Sequence, residues 1–435
     1  MPGDPTTLLA EIEALKVAMK DASSKDKANI LEKMGDVYAE AEKFNKAEIC
    51  YMQAIEAGGG GLALTRKCVD MLANVGETNK AAQFLDAALA KATDRLEKAQ
   101  LHIRRAKLKN FIAEYEDGRR SAELAIELVE KDYQTEKPLA EAYADANNIG
   151  GICLWELGRC EQAIKRLDIA AKTFTTLGDP KGVAKAKSNK GLVLYQLGKL
   201  DEALAHFEEA IKLDEGAGGT FMRGHCGNNI GLVRLAQGNL AEAEKFFQDA
   251  NKSFAKQGYI HGVHTSELNL MDLNIEMGDL VRASMWADRA LRGFQGLKED
   301  GRTSWVKASM ARIQLVKGDI SLAERYATEA VKGGQRARAR ETEAYGLRVL
   351  GLIELKKGDR DRAEALLRRS LEIFRAVDHA LETGRTLREL AVVLAAKGSQ
   401  AEAGKLAAEA RTVLTAIGAK LDLQRLDKDL PAKVG

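Results

Sequence analysis

Seven glycines stand 40 residues apart: Gly158, Gly198, Gly238, Gly278, Gly318, Gly358 and Gly398. Five residues after each comes an alanine: Ala163, Ala203, Ala243, Ala283, Ala323, Ala363 and Ala403. Seven residues further on there is again a small side chain, at Ala170, Ala210, Ala250, Ala290, Ala330, Ser370 and Ala410. The units run in register without one insertion or deletion, so the chain is built of repeats. Ahead of each glycine lies an apolar helical stretch, such as Ile230 to Ala236, and after it an amphipathic one, such as Leu240 to Phe254. Ala243, Phe247 and Ala250 share one face of the latter at helical spacing. The glycine ends the first helix in a left-handed conformation that a Cβ would disfavour. Each unit therefore reads as helix A, a glycine turn and helix B. Gly151, Gly191, Gly231 and Gly351 in helix A, with the alanines of helix B, mark where neighbouring helices come close.

Composition agrees with helix along nearly the whole length. Among 435 residues there are only 5 Pro, 11 Phe, 9 Tyr and 3 Trp, while Ala, Leu, Glu, Lys and Arg, which lose little side-chain freedom in a helix, recur throughout. The length would suffice for roughly three ordinary globular domains, but the repeat makes the chain more uniform than that. The 66 Lys and Arg against 64 Asp and Glu leave a formal charge of +2. That balance lacks the field which drives non-specific nucleic-acid binding. Five scattered cysteines (Cys50, Cys68, Cys153, Cys160 and Cys226) imply no disulfide framework and suit a reducing compartment. Met1 to Pro5 does not read as a secretory signal, and no apolar run approaches a membrane span. A cytoplasmic protein without membrane insertion is expected.

Upstream the register loosens. Met34, Gly35, Tyr38, Ala47, Tyr51 and Ala54 form a first unit, Ala81, Leu85 and Ala88 a second, and Gly118, Ala122 and Ala125 a degenerate third. The expected organisation is a leading helix over 1–27, irregular repeats over 28–139, seven 40-residue repeats over 140–418 and a capping helix over 419–435. A terminal repeat needs such a cap because it exposes its apolar face, and Leu421, Leu423, Leu426 and Leu430 supply one. The polar stretch from Lys131 to Pro138 sits where the period changes and reads as a loop, with a hinge as the alternative.

The spacing of small, small, large apolar and small residues in Gly191, Ala203, Phe207 and Ala210, repeated in Gly231, Ala243, Phe247 and Ala250, resembles the tetratricopeptide repeat. The usual period of that family is 34 residues, and the longer step here is similar to its long-helix variant in scaffold and regulatory proteins. The resemblance implies an all-α fold: a right-handed α-solenoid of about ten stacked helical hairpins with terminal capping helices. It further implies a concave groove lined by helix A. The residues it puts there are Asn148, Asn189, Asn228, Asn229 and Asn269, then Trp305, Arg312, Tyr345, Arg348 and Arg388. Asparagines can pair with the backbone of an extended peptide; aromatics anchor, and arginines fork onto carboxylates. The partner expected is a protein or peptide with an acidic segment toward the later repeats. The asparagines could instead form a structural ladder that satisfies groups between helices.

Other motifs have plainer readings. Gly58 to Gly61 and Gly216-Ala217-Gly218-Gly219 lack the following Lys-Ser/Thr and the preceding strand of a phosphate loop, and read as connectors. His261 and His264 have no Cys or His pair nearby in sequence to complete four zinc ligands; His225 and Cys226 one unit upstream could lie beside them, but packing is the plainer reading. No nucleophile, acid or base constellation can be assembled, so neither an enzyme nor a cofactor is expected. An adaptor or scaffold binding a peptide segment is the leading function. A ligand-responsive regulatory solenoid and a self-assembling scaffold, hence a homo-oligomer, stay open, whereas the near-neutral charge weighs against a helical repeat that reads RNA.

Overall fold

The computed structural model describes residues 5–20, 22–40, 44–57, 61–74 and 77–430. The described residues form twenty-two α-helices and no strand. They divide into two compact units, Met1–Cys153 and Leu154–Gly435. In the first, α1 (Pro5–Met19) precedes the hairpins α2 (Ser24–Glu40) with α3 (Phe44–Glu56), α4 (Gly61–Asn74) with α5 (Thr78–Lys91), and α6 (Arg95–Phe111) with α7 (Tyr115–Val129). Helix α8 (Lys137–Glu156) runs across the boundary, and α9 (Cys160–Thr176) follows it. The second unit continues with α10 (Pro180–Gln196) and α11 (Leu200–Gly216), α12 (Phe221–Ala236) and α13 (Leu240–Lys256), and α14 (Ile260–Met277) and α15 (Leu280–Gly296). It ends with α16 (Asp300–Lys317) and α17 (Ile320–Arg336), α18 (Arg340–Lys357) and α19 (Arg360–Ala376), α20 (Ala380–Ala396) and α21 (Gln400–Ile417), and α22 (Lys420–Asp429). Ten hairpins, from α2–α3 to α20–α21, thus lie between α1 and α22.

All seven glycines of the 40-residue series have positive φ. At Gly278 the turn is minimal. Its N–H donates to Ile275 O, the next N–H reaches Asn274 O at 2.9 Å, and Asp279 then caps α15 through the Arg282 N–H. One residue closes helix A and the next opens helix B. The structure adds a second series halfway between, where helix B hands over to the next helix A. Gly178, Gly218, Gly258 and Gly418 occupy it with positive φ, but Lys298, Arg338 and Asp378 hold the same left-handed conformation with side chains attached. The connectors thus recur at half the repeat, and three of them bear strain.

The small residues are explained by what faces them. A Cβ on Gly191 would come within 2.5 Å of the Phe207 ring, and one on Gly231 within 2.6 Å of Phe247. Phe207, Phe247, Phe294 and Phe374 are fully buried on helices B. The α10–α11 and α12–α13 hairpins are therefore each a helix A with a flat side and a helix B whose ring fills it, while Met271 with Ala287 and Ala311 with Ala327 take those places in the next two. In the first unit the segment 131–138 holds a turn in which Thr135 N–H reaches Asp132 O, and the Tyr133 ring stacks on Tyr143 at 4.0 Å.

Within the second unit the helices A lie beside one another: α10 by α12, then α14, α16, α18 and α20, with α22 continuing the row. They form the inner layer and the helices B the outer. The row comes round on itself. The Gln196 amide donates to Val377 O, 181 residues away. A Cβ on Gly158 would meet Ala376 O at 2.7 Å, and one on Gly198 would meet Ile417 at 2.6 Å. Leu381, Leu414, Ile417 and Ala419 share an apolar cluster with Leu194, Leu200, Met222 and Ile230.

Candidate functional site

The inner layer of the second unit carries charge and aromatic rings where a purely packing layer would be apolar. On α14, Asp272 accepts hydrogen bonds from Trp305 Nε1 at 3.2 Å and Ser309 Oγ at 2.7 Å, both on α16. Burial pushes its carboxyl up to about 6, against those two hydrogen bonds and the charge of Arg312. Ser309 Oγ also lies 3.4 Å from the Tyr345 hydroxyl on α18, and the Trp305 and Tyr345 rings are 4.8 Å apart. The Arg348 guanidinium sits over the Tyr345 ring at 5.0 Å.

One helical turn further along, Glu276 accepts from Arg312 Nη1 at 2.8 Å and pairs with Arg425 of α22. Burial alone would raise its carboxyl, but Arg312, Arg385 and Arg425 outweigh it and hold the group well below the usual carboxylate range. Arg348 Nη1 lies 2.6 Å from Glu382, off the hydrogen-bond axis, and its Nε lies 3.7 Å from Glu389. Glu382 also accepts from Arg385 Nη1 at 2.9 Å. Burial works to raise Glu382, yet the two guanidiniums bring it down to about 2. Arg385 Nε reaches both oxygens of Asp422 on α22, at 3.0 and 3.1 Å.

Nine of the ten residues expected to line a groove lie in this unit, in two classes. Asn269 Nδ2 donates to Asn228 Oδ1 at 2.9 Å, both side chains buried. This pair satisfies groups between α12 and α14, as a structural ladder would. Arg312 and Arg348 are matched by carboxylates of the same chain, and Tyr345 is buried beneath Arg348. Asn189, Asn229, Trp305 and Arg388 are only partly covered. Asn229 has no side-chain hydrogen bond among the described residues. Arg388 donates through Nη2 to Glu389 at 3.3 Å and lies 3.7 Å from Asp429, while its Nε and Nη1 have no hydrogen-bond partner among the described residues. Asn148, on α8, belongs to the first unit and is buried there.

Sequence reading missed Asp272, Glu276, Glu382, Arg385, Asp422 and Arg425. A signal for them exists. Glu276 pairs with Arg312 at a separation of 36 residues, and Asp272 with Ser309 and Arg385 with Asp422 at 37. These neighbours across the inner layer are thus one repeat less one helical turn apart, whereas Asn228 and Asn269 stand 41 residues apart.

The remaining motifs are structural here. Gly58 to Gly60 lie outside the described residues. Gly216 ends α11, and Asp214 accepts the Gly219 N–H on its carbonyl and the Met222 N–H on its carboxylate, so the second glycine run is a capped connector. His261 meets Glu299 at 3.2 Å and His264 meets Glu267 at 2.8 Å, while burial pushes His225 down to about 4. Among the described residues no group of His, Cys, Asp and Glu is arranged to hold a metal ion. The five cysteines are buried, and burial pushes the thiols of Cys68 and Cys160 up to about 12. No described helix is long and apolar enough to cross a membrane.

Family models described as tetratricopeptide repeat match residues 28–57, 142–216 and 342–416. Among solved structures, a Rap protein complexed with competence and sporulation factor is similar with a TM-score of 0.53 and 14% identity, covering 88% of this chain and 100% of that one. The apo form of the quorum sensor NprR from B. thuringiensis is similar with a TM-score of 0.53 and 12% identity, covering 85% of this chain and 99% of that one. At such identities the likeness concerns the fold. No curated protein matches the sequence.

Proposed function

We propose that this chain, a member of the tetratricopeptide-repeat superfamily, is a protein-interaction module that takes an extended peptide segment of a partner on the inner helix A face of its second unit. The observation that carries the reading is the buried charge on that face. Ionised groups inside a protein add little net stability, because desolvation roughly cancels their attraction. Leu, Ile or Val at Asp272, Glu276, Arg348 and Glu382 would pack the layer as well. Charge kept where apolar residues would serve suits recognition of a polar main chain.

Within this reading the candidate residues divide by exposure. Asn189 and Asn229 offer amides to a peptide backbone. Trp305 gives a flat apolar surface held in place by Asp272. Arg388, whose Nε and Nη1 are buried beside Asp429 without a hydrogen-bond partner among the described residues, receives a carboxylate of the partner in place of Asp429, so the acidic part of the peptide lies toward α20. Asn228, Asn269, Arg312, Tyr345 and Arg348 hold these residues in position from beneath. The similarity to a Rap protein solved with competence and sporulation factor, and to the quorum sensor NprR, is in keeping with a fold that accepts a ligand.

The test is selection of peptides from a displayed short-peptide library on the full chain, followed by affinity measurement on wild type and Asn229→Ala/Arg388→Gln. Loss of one charge-assisted hydrogen bond is worth about 1.5–3 kcal/mol, so binding should weaken at least tenfold while far-UV circular dichroism and the unfolding midpoint stay unchanged. Selected peptides that bind both proteins equally well would refute the groove.

A further inference from the structure

Helix α22 does more than cover the last hairpin. Its Asp422 is fully buried and shares the single Arg385 Nε–H on α20 between its two carboxylate oxygens. One turn later Arg425 leaves the last repeat and pairs with Glu276 on α14, three hairpins upstream. Leu421 lies against Gly238, at the turn that follows α12, and Leu423 packs on the cluster that contains Leu194, Met222 and Ile230. Leu426 is completely buried on the other side, with Leu387, Leu390 and Leu394 of α20. A helix of ten residues therefore ties α12 and α14 to α20.

The other polar and backbone contacts that close the unit are turn against turn: Gly158 on Val377, Gly198 on Ile417 and Ala380, and Gln196 on the Val377 carbonyl. Beside them one apolar cluster joins Leu381, Leu414 and Ile417 to Leu194, Leu200 and Met222. The charge pairs of α22 are close to break-even against desolvation. The seat of α22 is thus the polar part of a closure whose remainder is one apolar cluster and a few turns, and a ligand's differential binding can act on that part.

We propose that α22 is an intramolecular latch, which holds the second unit closed and restricts access to its inner face until a partner displaces it. The restriction of access rests on the groove reading above; the closure does not. The latch works by competition. A partner segment that reaches Arg385, Arg388 or Glu276 removes the charges on which α22 is seated, and the edges beside it then part.

The experiment exchanges the two charges in the full chain, Asp422→Arg/Arg425→Glu. The i,i+3 pair within α22 and the net charge are kept, while like charges face Arg385 and Glu276. Spin labels at Asp201→Cys and Ala416→Cys, both exposed positions beside the Gly198–Ile417 contact, report the distance by pulsed electron resonance. Exchange of the charges should lengthen it by at least one helix diameter, ~10 Å, with helicity unchanged. Should that variant lose helicity, Asp422→Asn/Arg425→Gln is read instead, with the same expected lengthening. An unchanged distance in a folded variant overturns the latch.

Access is measured separately, with the library-selected peptides as probe. They should bind the exchanged variant about tenfold more tightly than wild type. A lengthened distance with unchanged peptide affinity overturns the control of access. A lengthened distance with no peptide binding either protein upholds the latch and refutes the groove.

Discussion

Replacing Asp272 by asparagine should make the protein more stable at neutral pH, although it removes a carboxylate that accepts two hydrogen bonds. The folded chain holds this carboxyl at about 6, whereas the unfolded chain has it near ~3.9. Between these values the native state binds a proton that the unfolded state has released. A group raised in this way favours folding at low pH, and the advantage is lost as pH rises through the folded value. Two units of difference correspond to about 2–3 kcal/mol. The amide fits the same place: its oxygen accepts from Trp305 Nε1, its nitrogen donates to Ser309 Oγ, and the Ser309 proton turns to Tyr345, 3.4 Å away. With ~1 kcal/mol of geometry lost, Asp272→Asn should gain ~1–2 kcal/mol at pH 7.5 and be less stable than wild type by up to ~1 kcal/mol at pH 4.

Urea unfolding of both proteins at pH 4, 5, 6 and 7.5 measures this difference. Glu276 and Glu382 act with the opposite sign. Their folded values lie below the ordinary carboxylate range, Glu382 at about 2, so their contribution is complete above the unfolded value and lost as pH falls through the folded one. That window lies below that of Asp272, and it cancels between wild type and variant. A variant less stable than wild type at pH 7.5, or a difference that does not change with pH, would show that the Asp272 carboxylate is satisfied where it stands.

Glu276→Gln should cost ~2–4 kcal/mol at pH 7, because Arg312 and Arg425 then face Arg385 without their shared counter-charge; a shift of the urea midpoint at constant slope measures it. Arg338→Gly and Lys298→Gly remove exposed side chains from left-handed connectors. Relief of ~1–2 kcal/mol of strain, less the ~0.4–1 kcal/mol by which glycine loosens the unfolded chain, leaves a gain of about 0.5 kcal/mol each, seen as a raised melting temperature. Ala203→Leu should overpack a fully buried hairpin contact and cost ~1–3 kcal/mol; an unchanged midpoint would count against the small-residue assignment.

The hairpin stack could be read from the sequence because its determinants are local. A left-handed glycine, a flat patch at Gly191 or Gly231 and a ring to fill it at Phe207 or Phe247 all lie within one repeat. The second series of connectors was hidden because Lys298, Arg338 and Asp378 replace the glycines that would mark it. The asparagines were visible as a period, but a period does not tell partner from ligand: Asn228 and Asn269 satisfy each other, while Asn229 next to them does not take part.

The charged layer escaped because pairs such as Glu276–Arg312 and Arg385–Asp422 span two repeats at an offset that no single repeat contains, and Arg425–Glu276 spans more. In a chain with 30% charged residues, an Arg 36 residues from a Glu carries no signal until the lateral offset of the helices A is known. Closure of the second unit is more remote still. It follows from the small rotation between successive hairpins summed over the unit, and that rotation is set by side-chain volumes at every interface. Volumes that keep the apolar pattern but change the rotation would leave each hairpin intact and move Gln196 away from Val377. The contact is therefore a property of the sum and the least protected by the repeat, which makes it the natural place for a partner's binding energy to act.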